Sequence, residues 1–121
     1  MNPNTVRVSP GVDWQPVCKH QDLIANSGVV VWHEGTQVAL FYLPDETSGQ
    51  VLHAIDNHDP QSGANVIGRG IVGHLKGHLV VAAPLYKQHY ALADGHCLEE
   101  PSQRLRVWPV RLHGDEVQIG A

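Results

Sequence analysis

The sequence predicts an all-β domain built from antiparallel sheets. Three observations carry this expectation. Twelve glycines and eight prolines punctuate the 121 residues, spaced as the turns of a meander are. β-Branched and aromatic runs such as Val29-Val30-Val31-Trp32 lie between those breaks. No window with helical periodicity extends beyond two turns.

The elements follow in order. Residues 1–11 hold Asn, Pro and Gly and read as a flexible N-terminal tail. Residues 12–121 read as one domain. Trp14 to His20 alternates and is a first strand; Gln21 to Asn26 is a turn or short helical loop. Val29 to Trp32 and Val38 to Tyr42 flank His33-Glu34-Gly35-Thr36 and form a hairpin. Gln50 to Asp56 is the next strand. Ile71 to Leu75 and His78 to Ala82 flank Lys76-Gly77, a second hairpin. Asp94 to Gln103 is a turn-rich connection. Leu105 to His113 and Glu116 to Ile119 flank Gly114-Asp115 and close the domain.

Composition narrows the function. With 42% apolar and 17% charged residues the chain is globular. A net charge of −4, with no Lys/Arg run, argues against a nucleic-acid partner. The N-terminus lacks a signal-peptide pattern, and no apolar stretch spans a bilayer, so no membrane partner is expected. Two cysteines, Cys18 and Cys97, do not make a disulfide framework, and a cytoplasmic location is expected. No phosphate-cradling glycine loop is present, so neither flavin nor nicotinamide is expected on this chain.

Two stretches resemble the paired loops of a Rieske domain. They are Ile55-Asp56-Asn57-His58-Asp59-Pro60-Gln61-Ser62-Gly63-Ala64 and Val80-Val81-Ala82-Ala83-Pro84-Leu85-Tyr86-Lys87-Gln88-His89-Tyr90. A Rieske centre needs two thiolates and two imidazoles. Here Asp59 and Gln61 stand at the first ligand pair, and Ala83 and Tyr86 at the second. The resemblance therefore implies a Rieske-like ferredoxin fold whose two loops form a degenerate cluster-binding tip. Ala54 to Pro60, Arg69-Gly70-Ile71-Val72-Gly73, Ala83 to Tyr90, Cys97-Leu98-Glu99 and Val107-Trp108-Pro109-Val110-Arg111 bring the chain closer to one group. It is similar to the small subunits of assimilatory NAD(P)H-dependent nitrite reductases. That resemblance implies a non-catalytic subunit without an iron–sulfur cluster, supporting reduction of nitrite to ammonia. It implies a large-subunit partner carrying sirohaem, an iron–sulfur cluster and FAD.

The remaining residues carry competing readings. Asp59 and Gln61 offer oxygen to a hard cation, or fill the vacated space with hydrogen bonds; the second is the simpler. Tyr86 reads as a packed ring with a bonded hydroxyl. Nine histidines invite a rival function, a small histidine-dependent metal-binding enzyme. No spacing among them matches a zinc motif. His74 and His78 straddle Lys76-Gly77 and are placed to face each other across a hairpin. Trp14, Trp32 and Trp108 read as core or inter-sheet packing, Cys18 as a small core residue, and Cys97 as exposed after a turn. Lys87, Gln88, His89 and Tyr90, with Arg69 at the same end, are the candidate partner interface.

Overall fold

A computed structural model describes residues 13–46 and 50–120. The expected tail, residues 1–11, lies outside the described residues. Ten strands follow one another: β1 Gln15–Lys19, β2 Ser27–His33, β3 Thr36–Tyr42, β4 Leu52–Asp56, β5 Ile71–Leu75, β6 His78–Ala82, β7 His89–Ala91, β8 Val107–Trp108, β9 Val110–His113 and β10 Glu116–Ile119. Two 3₁₀ turns, His20–Asp22 and Ile67–Arg69, complete the described elements. The strands form three antiparallel sheets, ordered β1-β10-β9, β2-β3-β4-β8 and β5-β6-β7.

The four-stranded sheet is central, and its residue pattern explains why. Val38, Ala39, Leu40 and Phe41 are all fully buried, so both faces of β3 are covered. Ala39 and Phe41 join Ile55, Ile67, Val81, Tyr90, Leu92, Cys97 and Leu105 in one core. Val38 and Leu40 join Leu52, Ala54, Trp108, Val117 and Ile119 in a second. Period-two alternation sends successive side chains to opposite cores. A continuous apolar run is therefore what a doubly covered strand requires. Burial of each large side chain such as Phe41 or Leu40 contributes about 1.5–3 kcal/mol.

The turns are set locally. Glu34 and Gly35 have φ of 52° and 78°, and Lys76 and Gly77 have 53° and 80°. Two consecutive positive φ values match the twist of a two-residue hairpin. The expected strand from Leu105 to His113 is broken. Val107–Trp108 pairs with β4, whereas Val110–His113 pairs with β10. Pro109 lies at the switch, where a missing N–H interrupts a ladder. The second hairpin also departs from expectation. His74 stands opposite Leu79 and His78 opposite Leu75, so the two histidines are not a cross-strand pair. The His78 ring instead packs edge-on against His96, 5.1 Å between centroids. Strand β7 and the turn Ile67–Arg69 were not expected; each spans three residues, too few to show a period.

Candidate functional site

The first loop starts where β4 ends and is built on polar side chains. Asn57 is buried; its Oδ1 accepts from the Gly68 N–H at 2.7 Å, and its Nδ2 donates to Gln37 Oε1 at 2.9 Å. One amide thus ties the loop to β3 and to the Ile67–Arg69 turn. Asp56 accepts the His58 N–H at 3.0 Å, a local turn that directs the chain outward. His58 Nδ1 lies 3.0 Å from Asn65 Oδ1, closing the loop neck.

Asp59 turns inward and has no solvent exposure. Its Oδ1 accepts the Gln61 N–H at 3.0 Å, and its Oδ2 accepts the Ser62 hydroxyl at 2.9 Å. The Tyr90 hydroxyl, from β7, donates to Oδ1 at 3.2 Å. That bond links the two loops. Burial, then the charge of Asp59, pushes the Tyr90 phenol well above its usual range. It is a fixed donor, not a titrating group. Gln61 is also held: its Oε1 accepts Gln103 Nε2 at 2.9 Å.

The second loop reverses between Ala83 and Gln88. Ala83 N–H donates to the Gln88 carbonyl at 2.8 Å, and Lys87 N–H to the Ala83 carbonyl at 3.0 Å. Lys87 adopts φ 58°, a left-handed conformation uncommon outside glycine. The reversal sends Tyr86 outward, 62% exposed. The expected packed and bonded Tyr86 is therefore corrected: Tyr90 fills that role. Tyr90 in turn leaves the candidate interface, because a fully buried ring meets no partner. Arg69 and Lys87 are exposed, and Gln88 and His89 are half-buried. His89 is engaged by Glu99, which accepts its backbone N–H at 2.7 Å and lies 2.6 Å from its Nδ1.

The four residues expected at the ligand positions do not fit a [2Fe–2S] cluster. Asp59 is spent on three donors, Gln61 on one, Ala83 offers a buried methyl and Tyr86 points to solvent. None is a thiolate or imidazole. Cys97 is buried rather than exposed, because Tyr90 and Cys97 bridge across the connection that folds over this core. Burial pushes its thiol up, so it is a poor thiolate. Among the described residues no three His, Cys, Asp or Glu side chains are grouped to hold a metal ion. His53, His74 and His78 border one hollow with Glu46, but each of the histidines that bonds does so separately: His53 bonds the Gln50 carbonyl, His74 lies 3.6 Å from Glu46, and His96 lies 2.6 Å from Asp94. The rival metal enzyme has no assembled centre among these residues.

The Rieske-like [2Fe-2S] domain family matches residues 13–120. The nitrite reductase (NADH) small subunit of Salmonella typhimurium is 36% identical over 108 residues, covering 88% of this chain and 95% of that protein. The chain belongs to the Rieske-like domain family and, within it, to the NADH nitrite reductase small subunits. The solution structure of the E. coli protein NirD agrees, with a TM-score of 0.78 at 33% identity; the match covers 91% of this chain and 97% of that one. A third relative is named nitrite reductase [NAD(P)H] large subunit, from Klebsiella oxytoca. It is 34% identical over 92% of this chain, which spans only 11% of that protein. The small-subunit name implies a large-subunit partner. Among the described residues no helix is long and apolar enough to cross a membrane.

The bracing of the second loop makes this small subunit sensitive to acid. Burial acts to raise the Glu99 carboxyl, but the bonds and charge from His89 outweigh it, so Glu99 titrates low. The His96 ring bond, then its backbone bond, holds Asp94 low. Such contributions are present above the usual carboxyl range, about pH 4, and are lost as pH falls through the depressed values. Burial pushes His53 down, and the Gln50 bond and the Glu46 charge oppose it more weakly. Below about pH 6.5 the unfolded chain therefore gains a proton that folded His53 declines. The melting temperature should fall in two steps from pH 8 to pH 3. His53→Gln should flatten the upper step, and Asp94→Asn with Glu99→Gln the lower. A melting temperature that rises between pH 8 and 5.5 contradicts this assignment.

Proposed function

We propose that this chain is the accessory small subunit of a cytoplasmic NAD(P)H-dependent nitrite reductase and carries no redox centre itself. The observation that carries the reading is the Asp59–Tyr90 bond, which occupies the loop tip where the fold family holds its cluster. A tip filled by hydrogen bonds transfers no electrons; it presents a shaped surface. Nitrite reduction to ammonia is then the work of the large subunit, with sirohaem, an iron–sulfur cluster and FAD. The Klebsiella relative supports the pairing, since a domain similar to this one lies within a polypeptide named as a large subunit. Joining the two in one chain gives an effective concentration in the millimolar range, which suits domains that act together. Arg69, Lys87, Gln88 and the exposed edge of His89 are the proposed polar contacts, with Lys87 affecting association rate and salt dependence.

The test is reconstitution with the large subunit from the same source. Added small subunit should form a complex and raise NAD(P)H-dependent ammonia production. The isolated chain should be colourless, with iron and acid-labile sulfide well below one cluster per chain. Stoichiometric iron and sulfide would overturn the cluster-free reading. A large subunit that neither binds the chain nor responds to it would overturn the accessory role.

A further inference from the structure

Seven large apolar side chains are exposed among the described residues, and their placement is uneven. Ile24 follows the His20–Asp22 turn and Leu112 lies on β9, whereas Val30 and Trp32 lie on β2, Ile71 opens β5, and Leu85 and Tyr86 belong to the second loop. Trp32 is 67% exposed, Ile71 78% and Leu85 58%. The expectation that Trp32 packs in the core is thus corrected; its neighbours Val29 and Val31 take the inward face of β2.

The fold sets the segments that carry these residues side by side. Val30 and Trp32 are two apart on β2 and share a side of the sheet. A Cβ on Gly68 would stand 2.8 Å from Val30 Cγ2, so the Ile67–Arg69 turn lies directly on that side. Two residues after that turn comes Ile71, which pairs with Ala82. Gly70 packs so tightly that a Cβ there would stand 2.5 Å from the Ala82 carbonyl oxygen. Leu85 and Tyr86 follow three and four residues after Ala82. Beside Trp32 a shallow hollow of about 320 Å³ is lined by Thr36, Gln37, Asp56, His58 and Asn65, so the indole borders the first loop.

Two further features mark the face as one that is covered. β2 is an edge strand of the central sheet, and its seven residues, Ser-Gly-Val-Val-Val-Trp-His, include no Lys, Arg, Asp, Glu or Pro. Uncovered edges normally carry such residues to block association. Lys87 holds a left-handed conformation at the end of the reversal that carries Leu85 and Tyr86, and strain of this kind collects where shape is used. Ile71, Leu85 and Tyr86 fall between Arg69 and Lys87 along the chain, and both cations are exposed and form no ion pair among the described residues. An apolar centre with a polar rim, anchored by Trp and Tyr, is the composition of a binding hot spot.

We infer that Trp32, Ile71, Leu85 and Tyr86 form the apolar centre of the surface that docks on the reductase large subunit, with Arg69 and Lys87 at its rim. This rests on the small-subunit reading and moves the centre of contact from the Lys87–His89 turn to the band between β2 and the second loop. The occupant is the large subunit because the Klebsiella relative holds a similar domain within the same polypeptide.

The test measures binding of the full chain to the purified large subunit by titration calorimetry. Trp32→Ala and Leu85→Ser should each weaken binding at least tenfold, and together at least a hundredfold. Melting temperatures should stay near the parent's, since these side chains are exposed. Ile24→Ser and Leu112→Ser, outside the inferred centre, should bind as the parent does. Parent-like binding by the Trp32 and Leu85 variants would overturn the docking face while leaving the small-subunit reading intact. Absence of binding by the parent chain would overturn both. Self-association of the parent chain that Trp32→Ala abolishes, without any effect on large-subunit binding, would replace the inferred occupant with a second copy.

Discussion

Asp59→Ala should lower the melting temperature by on the order of 10 °C. Three donors converge on this buried carboxyl: the Gln61 N–H, the Ser62 hydroxyl and the Tyr90 hydroxyl. Alanine leaves them facing a small void. An unsatisfied buried polar group costs about 1–3 kcal/mol. Part of that cost is relieved, because the Tyr90 hydroxyl lies 3.3 Å from Gln88 Oε1 and Ser62 is half-buried. A net loss of about 2–4 kcal/mol remains. Asp59→Asn should lose less, since one oxygen still accepts from Gln61 and Tyr90 while its amide can donate to the Ser62 oxygen. Tyr90→Phe keeps the ring packing and removes one donor, a loss of about 1–2 kcal/mol. The two changes share one bond, so their effects should fall short of additive in a double-mutant cycle. Tyr86→Phe, at an exposed phenol, should stay within about 0.5 kcal/mol of the parent. Thermal melts of the parent and these variants, the double mutant included, check this. An Asp59→Ala protein that melts with the parent would show that the loops are held by something other than this bond.

The contrast between Tyr86 and Tyr90 shows how far the sequence can be read. Both sit in one string, Tyr86-Lys87-Gln88-His89-Tyr90. Which ring turns inward depends on the reversal at Lys87, whose positive φ has no Gly or Asn to announce it. The hairpins were readable because Gly35 and Gly77 mark their turns between apolar runs. The doubly covered β3 was readable as a strand for the same reason. The core reading of Trp32 fails because Val29, Val30, Val31 and Trp32 are apolar on both sides of the strand. Period two gives the faces but not which one is covered. The alignment of Asp59, Gln61, Ala83 and Tyr86 with cluster-ligand positions rests on resemblance, and their unsuitability as ligands follows from their chemistry. Asn57 has no motif that sets it apart from the other polar loop residues. Its signal was position: an amide directly after a buried strand, where exposed backbone groups need partners. Pro109 was a readable break that the apolar residues around it concealed.

The largest loss is expected from Gly95→Ala, which should cost more than about 3 kcal/mol and leave little folded protein at 37 °C. Gly95 closes the turn-rich connection. Its N–H donates to the Ala91 carbonyl at 2.7 Å, and its carbonyl accepts the Leu105 N–H at 2.8 Å. It does so at φ 82°, where an L side chain is strained by about 1–2 kcal/mol. Strain is the smaller part. A Cβ would stand 1.9 Å from the Leu105 carbonyl oxygen and 2.9 Å from its carbon. Both are backbone atoms, so no rotamer relieves the overlap. The 104–106 segment has to move, and it is anchored at both sides. Leu105 is buried in the core with Tyr90 and Cys97, and the Arg106 carbonyl accepts the Asp56 N–H at 2.9 Å. Displacement would therefore loosen the end of β4 from which the first loop springs. Gly35→Ala is the control. It has φ 78° but nothing within 4 Å of its Cβ, so it should lose only the backbone part, about 1–2 kcal/mol. Thermal melts of the two variants separate conformational strain from overlap. Equal losses would mean that the connection yields freely around Leu105 and is not the rigid clasp that holds the two loops together.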